Sequence, residues 1–403
     1  MNILVVAPQP FFTPRGTPFS VYYRTMVTCS LGHKVELLTY GQGDDVDIPG
    51  CVIHRIPAFR WLGAVKIGPS FQKLFLDLFM IIWTASFLIR RRYDVVHAHE
   101  EAVFWCRWLK PLFRFKLIYD MHSSLPQQLH NFQFTRLRIV HWLFERFESS
   151  AVKAADAVIT ICPALRDHAR TMTHDRDKLL LIENSLFDPV RFVAKSSAGP
   201  ELPGNDVETT RTDAAERWIE TRCTGQIISY AGTLEVYQGI DRLLESFSVV
   251  IEEMPGAGLL IVGGLPREVG EYRDLAAGLG LGDAVHFTGQ VSQLQAQRLV
   301  EQSAASISPR YAGNNTPMKI YHLMAAGIPL VATRIESHTQ VLNDDIAVLA
   351  DISTGALAEG IVKVLSSPDE ARAMAARAKA WYLEHYSRPA YTAKMQKLFA
   401  LVS

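Results

Sequence analysis

The 403-residue chain is 48% hydrophobic and 20% charged, a globular composition at a length that suits two or three domains. Net charge is zero but unevenly divided: residues 1–195 carry 24 Lys and Arg against 17 Asp and Glu, and the +7 there is balanced by −7 in the remainder, which directs the first half toward an anionic surface or substrate. The five cysteines (Cys29, Cys51, Cys106, Cys162 and Cys223) are scattered, odd in number and without a CxxC pair, which excludes a disulfide framework and a structural zinc site and fits a reduced, cytoplasmic protein.

In chain order, "MNILVVAP" has no basic leader and only a five-residue apolar run, so it reads as a first strand and not as a signal peptide. A helix follows over roughly 18–31. Strands are expected at 34–40, 51–57, 94–100, 116–122, 157–162 and 178–184, with helices at about 70–90, 101–109 and 134–153. Continuous apolar strands between helices predict a parallel sheet covered on both faces. "LFLDLFMIIWTASFLI" (74–89) precedes Arg90, Arg91 and Arg92; at 16 residues, with Asp77 inside, it falls short of a spanning helix. Lys73, Asp77 and Thr84 share a stripe of it. It is either a buried helix or one that rests on a bilayer with its arginines at the headgroups. Residues 104–116 again mix aromatics with Arg107, Lys110, Arg114 and Lys116, so segments 70–92 and 104–116 are expected to meet an anionic membrane surface.

Residues 194–225, rich in Ser, Gly, Pro, Thr and charge, read as a linker region with one helix around 212–221. A second alternating series follows: strands at 227–232, 258–264, 285–289, 305–310, 329–333 and 347–350, with helices between them and helices to the end. The fold class is therefore α/β, two doubly wound Rossmann-like domains over residues 1–193 and 226–385. Ligands of such sheets bind beyond the carboxyl ends of strands, and the cleft between two facing domains is the expected active site.

No GxGxxG follows the first strand, and no Walker sequence or HExxH is present. "DVD" (45–47) and "DRD" (175–177) lie in expected surface turns, so no metal is anticipated. His97 and His99 are not taken as a metal pair, on the expectation that their rings leave the strand on opposite faces. The chain offers instead a set of glycine loops at strand ends, carrying Gly16, Gly232, Gly264 and Gly289. Glycine permits close backbone approach, and helix-start amides can hold an anion. In "NNTPMKIYHLMAAGIPL" (314–330), Thr316 is expected to cap a helix and Pro317 to open it. Lys319 then opposes the helix dipole in the first turn, so either an anion sits there or the lysine is simply solvated.

The order "YAGTLEVYQGIDRLLESF", "LLIVGG", "VHFTGQV" and "ISPRYAGNNTPMKIYHLMAAGIPLVAT" resembles the donor domain of the family four glycosyltransferases. "PRGTPFSVYYRTM", "LGHKVELLTY", "YDVVHAHEE" and "ADAVITIC" resemble the family's acceptor domain. The resemblance implies the GT-B arrangement, a nucleotide-sugar donor, retained anomeric configuration, no metal or other cofactor, and a last helix (386–403) that returns to the first domain. It implies a donor site of Gly16, Gly232, Thr233, Gln238, Gly264, Gly289, Arg310, Asn315, Thr316, Pro317, Met318 and His322. It also implies a catalytic pair, His122 near the donor sugar and Lys319 on the diphosphate. Ser123, Ser124 and Gln127 follow His122 and, with Glu100, are candidates for the acceptor pocket.

Where members often carry an arginine and a lysine on the diphosphate, this chain has Thr233 and Gln238; where a glutamate commonly meets the ribose, it has His322. Lys319 matches a variant of the loop and is the candidate surviving cation, with Arg310 as a compensating one. A charged donor is roughly twice as strong as a neutral one, so the exchange weakens the expected electrostatic stabilisation. The reading is a glycosyltransferase acting on a lipid-linked or cell-surface glycan, as in polysaccharide biosynthesis, cytoplasmic or peripheral on the inner membrane face, with no nucleic-acid partner. The alternative is a non-catalytic glycosyltransferase-like subunit. A same-fold epimerase or hydrolase is disfavoured, since no paired carboxylates are seen at strand ends for proton abstraction.

Overall fold

The computed structural model describes residues 1–13, 16–63, 65, 70–124, 138–184, 187, 190–193, 205–222 and 226–403. The chain divides into two compact units, Met1–Lys195 with Arg388–Ser403, and Ser196–Ser387.

The first unit is built on seven strands: β1 (Asn2–Ala7), β2 (Lys34–Thr39), β3 (Cys51–Arg55), β4 (Val95–His99), β5 (Lys116–Met121), β6 (Ala157–Thr160) and β7 (Leu179–Leu181). They pair in parallel in the order β3-β2-β1-β4-β5-β6-β7. Strand β4 is buried along its whole length, and β1 except at Asn2, as a sheet covered on both faces requires. Its described helices are α1 (Gly16–Ser30), α2 (Phe71–Arg90), α3 (Ala102–Phe113), α4 (Arg138–Ala154) and α5 (Pro163–Arg170). The strand order reverses between β1 and β4, which places the loops after these strands at the switch point where doubly wound sheets bind ligands.

Helix α2 starts at Ser70, whose side chain accepts from the Lys73 amide. Its inner stripe, Leu76, Met80, Thr84 and Leu88, is buried. The Tyr40 hydroxyl donates to Asp77, and Lys73 pairs with Glu101. The other side is apolar and open: Phe71, Leu74, Leu78, Ile82 and Ile89 are each more than half exposed. At 20 residues the helix is long and apolar enough to cross a membrane, but its buried stripe makes it an outer layer of the unit. It is thus not a fully buried helix.

The second unit has β8 (Ile227–Ala231), β9 (Gly258–Val262), β10 (Val285–Gly289), β11 (Ala305–Ser308), β12 (Leu330–Thr333) and β13 (Val348–Ala350), all parallel, in the order β10-β9-β8-β11-β12-β13. The same reversal falls between β8 and β11. Its helices are α6 (Asn205–Glu220), α7 (Ile240–Glu253), α8 (Pro266–Gly278), α9 (Gln293–Glu301), α10 (Met318–Ala326), α11 (Glu336–Thr339), α12 (Thr354–Ser366) and α13 (Pro368–His385). Helix α6 runs well ahead of the expected 212–221. Ala215 and Ile219 pack it against Ile227, Leu260, Val262 and Leu299, so this part of the stretch read as a linker belongs to the second unit's core. A short apolar stripe in a polar segment carried that contact.

The final helix α14 (Arg388–Val402) belongs to the first unit, with Tyr391, Met395, Leu398, Phe399 and Val402 buried and Lys394 paired to Glu183 at 2.6 Å.

Candidate active site

In the second unit the glycine loops meet. The Gly232 amide donates to Val262 at 3.0 Å, and the Gly263 amide to Gly289 at 3.0 Å. Gly232 has a left-handed φ of 152°, and a Cβ built there would lie 3.0 Å from Lys319 Nζ and 3.1 Å from the Tyr230 hydroxyl. At Gly264, φ 92°, a Cβ would come within 2.3 Å of Leu234. The missing side chains thus leave room for Lys319 and for the close packing of the loop.

Lys319 is not a solvated lysine. Its Nζ lies 3.8 Å from the centre of the Tyr230 ring and is enclosed, with no hydrogen-bond partner among the described residues. Burial, and then Arg310, pushes the ammonium down to about 7. An enclosed cation without an acceptor is costly unless an anion completes it. Thr316 Oγ1 is likewise buried and unpartnered, which corrects the expected cap. Helix α10 begins at Met318 with Pro317 as N-cap, and no side chain caps it. Proline has no N–H and the helix opens one residue later than expected, so the Thr316 hydroxyl is left without its amide.

Arg310 is committed elsewhere. Its Nε donates to the Ala312 carbonyl at 2.6 Å, its Nη1 to the Asn315 carbonyl at 3.0 Å, and it lies 5.0 Å over Tyr237. It shapes the loop and adds positive potential beside Lys319. The loop is tied from below by a buried network that the sequence did not reveal. His338 Nδ1 donates to the Thr333 carbonyl at 2.8 Å, its Nε2 accepts from Ser308 at 3.0 Å, and Thr333 Oγ1 donates to the Arg310 carbonyl. Thr233 donates to Glu235 at 3.0 Å, and Gln238 reaches Thr233 at 3.4 Å. His322 on α10 is half-buried, its Nε2 has no hydrogen-bond partner among the described residues, and burial lowers its pKa.

In the first unit, β4 and β5 end in a buried polar cluster. Residues two apart on a strand share a face, so His97 and His99 do not diverge as expected: their rings stack at 4.6 Å. His97 Nε2 lies 3.1 Å and His99 Nδ1 3.3 Å from Asp120 Oδ2; His122 Nε2 lies 3.3 Å from Asp120 Oδ1. Arg24 of α1 contacts Asp120 Oδ2 at 3.1 Å and donates to the Ile182 carbonyl at 2.7 Å. Burial would raise the Asp120 pKa, but the Arg24 guanidinium beside it holds it well below the usual carboxylate range. Burial pushes His122 down to about 4 and His99 well below its usual value, so both rings are neutral at pH 7. His97, His99 and Asp120 present atoms close enough to hold a metal ion. The guanidinium of Arg24 already neutralises the carboxylate they share. A lone Asp in an apolar strand and a lone Arg on an apolar helix were the signals available for this pair.

The remaining candidates are dispersed. Glu100 follows β4 in a left-handed conformation, φ 47°, and burial, with Glu101 beside it, raises it to about 7. Ser123 is half-buried. Ser124 is buried and donates to Glu148 at 3.1 Å, so it turns into the protein. Gly16 starts α1 in open space. Gln127 lies outside the described residues.

Residues 27–185 match the family described as "Glycosyl transferase 4-like domain", and residues 215–381 match "Glycosyl transferases group 1". The chain belongs to the family four-type glycosyltransferases. The transferase is 25% identical over 374 residues to the phosphatidyl-myo-inositol mannosyltransferase of Mycobacterium leprae, covering 91% of this chain and 87% of that one. Its fold is similar to that of sucrose-phosphate synthase from Thermosynechococcus elongatus, at a TM-score of 0.71 and 18% identity, over 99% of this chain and 98% of that one. Anabaena HepE, solved in complex with UDP, is similar at a TM-score of 0.69 and 14% identity, over 99% of this chain and all of that one. Within the glycosyltransferase, the loops of Gly232, Gly264 and Gly289 and Lys319 all lie in the segment matched by the group 1 family, and Gly16 does not.

Proposed function

We propose that this glycosyltransferase moves a hexosyl group from a nucleoside-diphosphate sugar to a lipid-linked or cell-surface glycan, with retention and without a metal ion. The observation that carries the reading is the enclosed, unpartnered ammonium of Lys319 against the Gly232 loop. As the sugar–phosphate bond breaks, charge grows on the β-phosphate, and Lys319 and the amides of the 315–318 junction would stabilise it. The Arg310 guanidinium adds potential without a direct contact. His122 would face the donor sugar. The curated relative is a phosphatidyl-myo-inositol mannosyltransferase, which supports a glycolipid acceptor, and the UDP bound to HepE supports a nucleoside-diphosphate site.

The domain assignment follows: the first unit, with the C-terminal helix, takes the acceptor and the second the donor. The exposed face of α2 and the basic aromatic surface of α3, where Arg107 lies over Phe104, Trp108 and Phe147, would rest on the anionic inner face of the membrane. The neutral residues Thr233 and Gln238 favour one rival, a subunit that binds nucleotide without turnover.

Calorimetric titration of the wild type with UDP and with GDP tests the reading. Binding of one of them below millimolar Kd is expected and identifies the base. Heat from neither would remove the donor site.

A further inference from the structure

The sequence scatters five cysteines, and the fold brings two of them together. Cys29 lies in the last turn of α1, and Cys51 opens β3, the edge strand of the first unit's sheet. Their thiols share a hydrogen bond, so the two sulfurs are in contact. The turn before Cys51 leans on the same side chain: a Cβ built at Gly50 would lie 3.4 Å from Cys29 Cβ and 3.8 Å from its Sγ. The Cys51 amide donates to the Ile48 carbonyl at 2.9 Å, which fixes that turn.

Exposure separates this pair from the other described cysteines. Cys29 and Cys51 are each half-buried, beside the exposed Ser30, Pro49 and Gly50. Cys106 and Cys162 are buried in the first unit's core, where a thiol is a small apolar group that no reagent reaches. Cys223 lies outside the described residues. A thiol is reactive where it is partly exposed and its thiolate is stabilised. The hydrogen bond from Cys51 lowers the Cys29 thiol below its usual value, and the same bond, with burial, raises Cys51. Cys29 is therefore the attacking sulfur and Cys51 the one that follows.

We propose that Cys29 and Cys51 form a site of reversible oxidation, at which a low-molecular-weight disulfide such as oxidised glutathione converts the two thiols to an intramolecular disulfide. The Cys29 thiolate attacks one sulfur of the reagent; a mixed disulfide forms, the reagent's own S–S bond breaks, and one glutathione thiolate leaves. That thiolate takes up the Cys51 proton. The Cys51 sulfur then attacks Cys29 Sγ, and the second glutathione leaves as the mixed disulfide breaks. Two cysteine thiols are oxidised and one disulfide is reduced to two thiols, with no further co-reactant. The new bond fastens the end of α1, the helix that carries Arg24, to the edge of the sheet. Neither cysteine belongs to the candidate donor or acceptor site.

The test incubates the folded full-length protein with oxidised glutathione, unfolds and alkylates it without reductant, and maps its peptides by mass. The expected product links the peptide of Cys29 to that of Cys51, so that these two cysteines are lost to alkylation while Cys106 and Cys162 still react. Dithiothreitol should restore both. An unreacted pair, a lasting glutathione adduct on wild-type Cys29, or Cys29 linked to a different cysteine overturns the proposal. In Cys51→Ser the reaction is expected to stop at a glutathione adduct on Cys29, and its absence there overturns the order of attack. If that variant does not fold, the wild-type map decides alone. No nucleotide or sugar takes part, so the outcome is separate from that of a transfer assay.

Discussion

Replacing Lys319 by methionine should act with opposite signs on stability and on binding. The ammonium drops from its usual 10.5 to about 7 because it is buried and lies near Arg310. A drop of about 3.5 units corresponds to an upper bound of roughly 5 kcal/mol of charge burial. Water reaching the half-buried residue reduces this to a few kcal/mol. Between pH 7 and 10.5 the unfolded chain holds more protons at this position than the folded one. Wild-type stability from this group therefore rises across that window, and the full penalty is present below pH 7. Lys319→Met removes the penalty while keeping the stem's packing against Tyr230. It should raise the melting temperature of the second unit's transition at pH 6–7, and the gain should vanish toward pH 10. The same change removes a charge-assisted bond to the diphosphate, worth about 1.5–3 kcal/mol, or roughly tenfold to a hundredfold in Kd. Scanning calorimetry across pH and titration with UDP and GDP measure the two effects. A variant that is less stable at neutral pH, or that binds nucleotide as the wild type does, refutes the reasoning.

Gly232→Ala places a Cβ against Lys319 Nζ and the Tyr230 hydroxyl in a left-handed conformation; nucleotide affinity should fall about tenfold, roughly 1.4 kcal/mol, with the first unit's melting transition unchanged. Unaltered affinity would contradict the described packing. Because Lys319 titrates near 7 when the site is empty and higher when an anion covers it, binding of a nucleotide sugar should take up protons at pH 8 and weaken as pH rises from 7 to 9. Titrations in buffers of different ionisation heat detect the uptake, and its absence would remove the lysine from the site. The double substitution Leu74→Glu with Leu78→Glu, on the open face of α2, should reduce sedimentation with anionic vesicles and leave the melting temperature within a degree or two. Undiminished sedimentation would place membrane contact elsewhere.

The two sheets were legible because each strand is a short continuous apolar run, a signature written in neighbouring residues. The glycine loops and Lys319 were legible too, since each follows a strand end. What escaped depends on residues far apart in the chain. The enclosure of Lys319 comes from Tyr230, the bare backbone of Gly232 and the loop held by Arg310, three segments that only the folded sheet order brings together. Arg24 and Asp120 were not singled out: each is an isolated charge in an apolar element, and only the meeting of α1 and β5 pairs them. The histidines of "HAH" were assigned opposite faces although a period of two gives them one. The cap at Thr316 failed because the helix opens one residue later than its sequence suggested, and the hydroxyl stays buried without an amide.

The most direct measurement is transfer itself. Wild type and Lys319→Met would be incubated with labelled UDP-sugars and GDP-sugars and a membrane lipid extract, and label in the lipid phase followed with time. The account predicts lipid labelling from one nucleotide sugar, matched by nucleoside diphosphate release, and a much lower rate in the variant. Nucleotide binding with no transfer to any lipid or glycan, or sugar release that needs no acceptor, would contradict it.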